Sequence, residues 1–349
     1  MARFRADFQP QELTAVLRQY DLGQILRVDR QLKGSRRSPK VIVTSERGKY
    51  LLKRRAKGRD HPVKVAAAHQ VQRYLFERHF RLPRLIPTRD TQDTMVIYED
   101  QIYELFEFVP GGPYDASPQA TTDAGRALGQ FHRLLKDYVP DWEPSRRGYH
   151  DSAIVRNNLN AIPASIGKDD SVVGKESELL ATVSSLYASY EAASEKVNEA
   201  GYADWPTQVV HADWHPGNML FEGGRVTAVI DYDSLHLLPA ATDVANGGLQ
   251  FSIIGGPIDP REWPAELDEK RLYQFLIGYD TECTTAPEAM RVLPAMMIEA
   301  LIAEAVMPIA ATGSFGRMEG FRFLKMINRK VHWLEHNGDR LVSRMKLPG

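Results

Sequence analysis

Hydrophobic positions in the first hundred or so residues recur with the period of strands. Residues 23–32 set Ile25, Leu26 and Val28 among basic residues, and residues 40–45 form a second β-rich run. Glu46-Arg47-Gly48-Lys49 reads as a turn, and residues 50–55 as a third strand. Residues 62–79 break the pattern, because Ala67, Val71 and Leu75 fall at four-residue spacing and predict a helix. Two further strands are expected at residues 94–98 and 102–109. Five strands with one helix make a small antiparallel unit. Pro110-Gly111-Gly112-Pro113 then punctuates the chain. Beyond it Ser117 and Pro118 offer an N-cap and a first-turn proline for a helix to about residue 138. Residues 176–200 predict another helix, residues 208–232 a short hairpin, and the chain from Arg271 onward is mostly helical. The expected fold class is α+β and two-lobed. A small sheet lobe spans residues 1–109, a hinge lies at about 104–112, and a larger helical lobe spans 113–349. Clefts between such lobes favour ligands.

Composition narrows this little. The 349 residues, 43% hydrophobic and 26% charged, suffice for two packed lobes. Lysine plus arginine number 44 against 45 acids, so no electrostatic footprint argues for nucleic acid or an anionic membrane as partner. The single cysteine, Cys283, permits no internal disulfide and fits a reducing cytoplasm. Residues 1–13 carry Arg3, Arg5, Asp7 and Glu12 without an apolar core, so no signal peptide is expected there. The longest apolar stretch, residues 292–311, is interrupted by Glu299 and Glu304 and bracketed by Pro294 and Pro308. It reads as a buried amphipathic helix rather than a membrane span.

The most informative chemistry lies at His211-Ala212-Asp213-Trp214-His215-Pro216-Gly217-Asn218, followed by a Gly223-Gly224 turn and Val229-Ile230-Asp231-Tyr232-Asp233. Two apolar runs flank the glycine turn, so Asn218 and Asp231 should meet at the open end of a hairpin, with Asp213 one tight loop away. Oxygen ligands of this kind suit magnesium, which takes one or two side chains plus phosphate oxygens and water. Phosphoryl transfer asks for positioned phosphates, neutralised charge and a carboxylate to orient the attacking hydroxyl. Asp213 suits the last role; Asn218 and Asp231 suit the metal. The His-x-Asp-x-His alternation would also fit a metal-hydrolase half-site, but the further ligands at characteristic spacing are missing. His215 is read as a structural loop residue.

The segment resembles the catalytic loop of the aminoglycoside phosphotransferase and choline kinase superfamily, His-x-Asp-x-x-x-x-Asn followed by Ile-Asp-x-Asp/Glu. That resemblance implies a protein-kinase-like fold and an enzyme using ATP and Mg2+ to phosphorylate a hydroxyl of a small molecule. Asp213 matches the catalytic aspartate, Asn218 and Asp231 the metal ligands, and His211 a loop-supporting histidine. Asp233 matches the second acid of the strand end, and Asp243 an acid that braces the loop. Leu128-Gly129-Gln130-Phe131-His132 and Phe106-Glu107-Phe108-Val109-Pro110-Gly111 are similar to runs in the branch holding type II homoserine kinases and spore-coat kinase-like proteins. Tyr50-Leu51-Leu52-Lys53 resembles the kinase strand whose lysine reaches the ATP phosphates; alternation puts Lys53 on the face of Leu51, and a slip of one residue would nominate Arg54.

Two features depart from the pattern. The loop around Ser35 has one glycine, and it serves equally as a phosphate-capping loop or as a solvated hairpin. The helix expected to give Lys53 a glutamate has none over residues 62–74, leaving Gln70, Gln72, His69 or the more distant Glu77 as substitutes. Leu105, Phe106 and Phe108 on the expected hinge are candidate adenine contacts, the two phenylalanines being more often plain core residues than adenine contacts. For the acceptor the candidates are Tyr149, His150, Asp151, Arg156, Glu299 and Glu304. Any of these acids can instead bond a core arginine such as Arg322 or Arg329. Glu299 and Glu304, five apart on one helix, sit about 140° from each other, so at most one should line a pocket and favour an amine-bearing substrate. A protein kinase of the same fold and an idle nucleotide-binding scaffold are the rival functions.

Overall fold

The computed structural model describes residues 8–29, 38–167, 172–255 and 259–345. Ser35 lies outside them. The chain first forms helix α1 (Pro10–Leu17), then strands β1 (Ile25–Asp29), β2 (Lys40–Ser45) and β3 (Gly48–Arg54). Helix α2 (Pro62–Glu77) follows, then β4 (Val96–Tyr98) and β5 (Gln101–Glu107). The five strands pair antiparallel in the order β1-β2-β3-β5-β4. Alternation along β2 and β3 turns Val41, Val43, Tyr50 and Leu52 to one face, where they pack with Leu13, Val16 and Leu17 of α1. The sequence pattern did not yield α1, whose buried apolar side is only three residues, Leu13, Val16 and Leu17. The opposite face carries Leu51, Lys53 and Phe106 toward the cleft.

The second lobe begins with α3 (Pro118–Leu135), capped by Ser117 as expected, and α4 (Ala153–Ile166), which the pattern missed. After α5 (Glu176–Glu199) come β6 (Thr207–Val210), β7 (Met219–Glu222), β8 (Arg225–Val229) and β9 (His236–Pro239). The predicted hairpin is β7–β8, turned through Gly223 and Gly224 at φ +55° and +73°; a second ladder, β6 with β9, frames it. Helices α6 (Ala241–Ser252), α7 (Glu269–Asp280), α8 (Pro287–Arg291), α9 (Leu293–Thr312) and α10 (Gly320–Arg344) complete the lobe. Helix α9 is long and apolar enough to cross a membrane by length and composition, and 78% of its most apolar window is buried inside the protein. It is buried on nearly every side rather than amphipathic, because α4, α5, α6 and α10 surround it.

Two cores result. The sheet and α1 form the smaller one, whereas Ala68, Val71 and Leu75 of α2 join the larger one, beside α3 and the β7–β8 hairpin. The most intimate helix pair is α3 on α7. A Cβ on Gly125 would meet the Phe275 carbonyl oxygen at 1.9 Å, and one on Gly278 the Thr122 carbonyl oxygen at 1.9 Å. Gly278→Ala therefore has to force the two helices apart. A loss of about 1–3 kcal/mol is expected, typical of an overpacked core, read as a lower urea midpoint with unchanged slope. A wild-type midpoint would show that the contact is slack.

Candidate active site

The loop between β6 and β7 is set by one buried acid. Asp243, in the first turn of α6, accepts the backbone N–H groups of His211 (2.7 Å) and Ala212 (2.8 Å), the latter at φ +58°. His132 of α3 stands 3.3 Å from the same carboxylate and 3.0 Å from the Tyr279 hydroxyl. Burial opposes ionisation of Asp243, but these contacts outweigh it and hold the carboxyl below its ordinary range. His211 contributes by packing. Its ring lies among Phe131, Trp214 and Tyr232, neither nitrogen has a hydrogen-bond partner among the described residues, and burial pushes its imidazole toward the neutral form.

From this support the loop presents Asp213, whose side chain is 40% exposed. The Asn218 amide donates to the Asp213 backbone carbonyl (3.0 Å) and to its carboxylate (2.9 Å). Both partners are acceptors, so the amide nitrogen faces Asp213 and the amide oxygen is left for another group. His215 is a loop residue that accepts from the Gly217 amide and stands 3.5 Å from Asp213. At the open end of the hairpin Ile230 donates to the Asn218 carbonyl at 2.9 Å, which sets Asp231 beside Asn218. Asp231 has φ +66°, and its buried Oδ1 accepts no hydrogen bond from the described residues. Burial raises its pKa, while Lys53, Lys40 and Arg59 together pull it below the ordinary range.

Lys53 reaches into this region from β3. Its ammonium lies 3.8 Å from Glu104, 4.0 Å from Asp231 and 3.7 Å from Asp233. The acid partner thus comes from strand β5 and not from helix α2. Glu104, placed by the sequence at the start of the hinge, is inside β5 and directly opposite Lys53 in the ladder. Of the α2 substitutes, His69 holds Glu104 at 2.7 Å, Gln72 lines the cleft, Gln70 bonds Asp141, and Glu77 is exposed. Arg54 points to the other face and binds Glu12. Sequence reasoning passed over Arg55, which forks onto Glu104 with two 2.8 Å bonds and pairs with Asp233 at 2.7 Å. It also passed over Lys40, which sits opposite Lys53 across the β2–β3 ladder and lines the same cleft. Alternation along β3 was the available signal for Arg55. Among the hinge candidates only Phe106 lines the cleft. Leu105 faces the small core, and Phe108 lies under the Lys49 ammonium, 4.2 Å from the ring centre.

On the other side of the loop a cavity of about 420 Å³ is walled by Ala212, Ser234, Arg147, Ile154, Met307 and Glu304, among others. Glu304 keeps exposed surface on this pocket, while protein crowds it closely enough to desolvate its carboxylate. The crowding governs its titration. Desolvation, then the charge of Asp213, pushes its pKa up to about 8, against a hydrogen bond from Gln250. Glu299 is fully buried and structural. It accepts from His150 (2.9 Å), the Asp151 amide (3.0 Å) and Ser194 (2.7 Å), not from a core arginine. Tyr149 is on the cavity wall with its hydroxyl committed to the Thr242 carbonyl at 2.9 Å. Asp151 and Arg156 bind each other outside the cavity lining, and Asp151 also takes Asn198.

Comparisons with known proteins agree with this geometry. The model of the phosphotransferase enzyme family matches residues 29–293. A homoserine kinase of Caulobacter vibrioides is 26% identical over 231 residues, 65% of this chain and 66% of that protein. The crystal structure of an aminoglycoside phosphotransferase from Alicyclobacillus acidocaldarius superposes with a TM-score of 0.69 over 99% of this chain and 97% of its own, at 16% identity. A microcompartment-associated aminopropanol kinase gives 0.67 over 95% and 98%, at 15% identity. Spectinomycin phosphotransferase in complex with ADP and spectinomycin gives 0.63 over 94% and 99%, also at 15%. At these identities the structural likeness speaks for the fold, which is bilobal and kinase-like. With the family model spanning most of the sequence, including the loop and hairpin that carry Asp213, Asn218 and Asp231, the chain belongs to the phosphotransferase enzyme family.

Proposed function

We propose that this protein moves the terminal phosphoryl group of ATP, with Mg2+, onto a hydroxyl of a small amine-bearing molecule. The observation that carries the reading is the position of Asp213, between the Asn218–Asp231 hairpin end and a pocket of about 420 Å³ walled by its neighbour Ala212. A cavity of about 420 Å³ suits a small molecule better than a protein segment. Relatives acting on aminopropanol, spectinomycin and homoserine agree with that scale. In this reading residues 1–109 hold the nucleotide, the hinge lies at about 104–112, and residues 113–349 hold the acceptor.

The residues present fit a magnesium ion. Asp231 offers a buried carboxylate oxygen without a hydrogen bond, and Asn218 has its amide oxygen free of Asp213. These two would hold the metal, which neutralises phosphate charge when bound. Lys53 and Lys40 place positive charge on the cleft for the phosphates. Asp213 receives the acceptor hydroxyl, orients its oxygen for in-line attack and takes the proton as the new P–O bond forms and nucleoside diphosphate leaves. Asn218 keeps the Asp213 carboxylate from rotating away. Asp243, His211 and Asp233 act behind these groups, and Glu304 faces the amine of the acceptor.

Replacing Asp213 by Asn keeps its shape and removes the base. Turnover should fall by about 10²–10⁴, while the rise in melting temperature with magnesium-ATP persists. Turnover within about tenfold of wild type would refute the role.

The metal assignment is read by thermal shift. Wild type should gain more from ATP with magnesium than without, and Asp231→Ala should lose that difference. A magnesium effect of equal size in both proteins would contradict it.

Glu304 should govern the amine. A carboxyl with a pKa of about 8 is mostly protonated at pH 6.5 and attracts no ammonium, so KM for an amine-bearing alcohol should fall as pH rises toward 8.5. Glu304→Gln should flatten that dependence and raise KM about tenfold at high pH, with nucleotide KM unchanged. Glu299→Gln should instead lower stability by about 1–3 kcal/mol. A pH-dependent KM that survives Glu304→Gln would remove the residue from the acceptor site.

A further inference from the structure

The acid nearest Lys53 on the sheet is unusual in its fixity. Glu104 is wholly buried, and both its oxygens are engaged. Oε1 takes His69 at 2.7 Å and Arg55 at 2.8 Å; Oε2 takes Arg55 at 2.8 Å and lies 3.8 Å from the Lys53 ammonium. Two anchors on one carboxylate leave its charge no freedom to move. His69 is equally fixed, because its other ring nitrogen meets the Thr94 hydroxyl at 2.7 Å. With Nε2 against a carboxylate that takes two bonds from Arg55, that nitrogen is the donor.

The two ends of the His69–Glu104 contact belong to different cores. Glu104 is on β5, whose flanking residues Tyr103 and Leu105 pack in the small core. His69 is on α2 between Ala68 and Val71, which pack in the large one. This buried bond therefore joins α2 to the sheet at the residue directly opposite the lysine.

We propose that Glu104 is the positioning residue for Lys53, doing from a strand what α2, lacking an acid over residues 62–74, does not do, and that His69 ties this setting to α2, whose Ala68 and Val71 pack in the larger core. The proposal rests on the phosphotransferase reading. Lys53 sits almost equidistant from Glu104, Asp233 and Asp231, at 3.8, 3.7 and 4.0 Å. Asp231 stands at the metal position and Asp233 is two residues along from it, whereas Glu104 is on β5, so Glu104 is the carboxylate whose place is independent of the metal. Its Cβ faces that of Lys53 across the ladder, where an opposite-charge pair holds its geometry.

The alternative is that Glu104 only neutralises Arg55 in the core. Gln72 separates the two. It lies one helical turn from His69, is buried, and lines the cleft with Lys53 and Glu104. Steady-state kinetics and melting temperature are measured for wild type, Glu104→Gln, His69→Leu and Glu104→Gln/Gln72→Glu, with Asp213→Asn as the control on the reading itself. Glu104→Gln should raise nucleotide KM or lower kcat by about tenfold or more, leaving acceptor KM within about twofold. His69→Leu should move the same parameter in the same direction by less. Returning the acid from the helix, in Glu104→Gln/Gln72→Glu, should recover most of the loss. If Glu104→Gln and His69→Leu fold, change only melting temperature and leave nucleotide kinetics at wild-type values, the proposal is overturned. It is also overturned if the relocated acid restores melting temperature but no activity. Should Glu104→Gln fail to fold, His69→Leu and the double variant still decide. Full turnover in Asp213→Asn would instead strike at the phosphotransferase reading.

Discussion

Everything in the site depends on the two backbone amides that Asp243 accepts. They belong to consecutive residues, His211 and Ala212, at a point where the chain turns through a left-handed conformation. Without a buried acceptor two N–H groups would be desolvated and unpaired, at about 1–3 kcal/mol each. With it, the loop leaves β6 in one orientation, and Asp213 is aimed before any substrate arrives. His132 and Tyr279 extend the support into α3 and α7, the pair joined by glycine contacts. The precision of an exposed carboxylate is therefore inherited from helix packing well behind it.

The cleft above follows a second constraint, that buried charge must be matched. Lys53, Arg55 and Lys40 face Glu104, Asp231 and Asp233 within one small volume. Each acid is held by a cation, and the cations stand on alternate positions of neighbouring strands, so the pleat of the sheet arranges the electrostatics.

The candidate catalytic segment was legible in the sequence because its parts are local. Asp213, Asn218 and Asp231 fall within one loop and one hairpin, and the glycine turn sets their register. The fold class was legible for a similar reason, since strand periods give way to helical ones at a strong breaker. Glu104 was not legible as the neighbour of Lys53, because the two are far apart in sequence and meet only through the β3–β5 pairing. Helix geometry separated Glu299 from Glu304 but not which of them faces a cavity; that depends on α4, α5 and α6 around α9. Helix α1 lacked a long enough stripe, whereas α4 carries one in Val155, Leu159, Ile162 and Ile166 that the sequence reading passed over, and β9 was invisible because its partner β6 lies on the far side of the hairpin.

The membership of α2 in the larger core bears on how this chain can be cut. Its order along the sequence places it within the sheet unit, between β3 and β5, but Ala68, Val71 and Leu75 find their neighbours across the cleft. A fragment ending at the hinge would carry the whole sheet and yet present that helix with its apolar side uncovered. A fragment beginning after the hinge would have an open notch where α2 had been. The units that cohere are interleaved along the chain, so modules exchanged between relatives at the hinge would each arrive missing a piece of the other's interior.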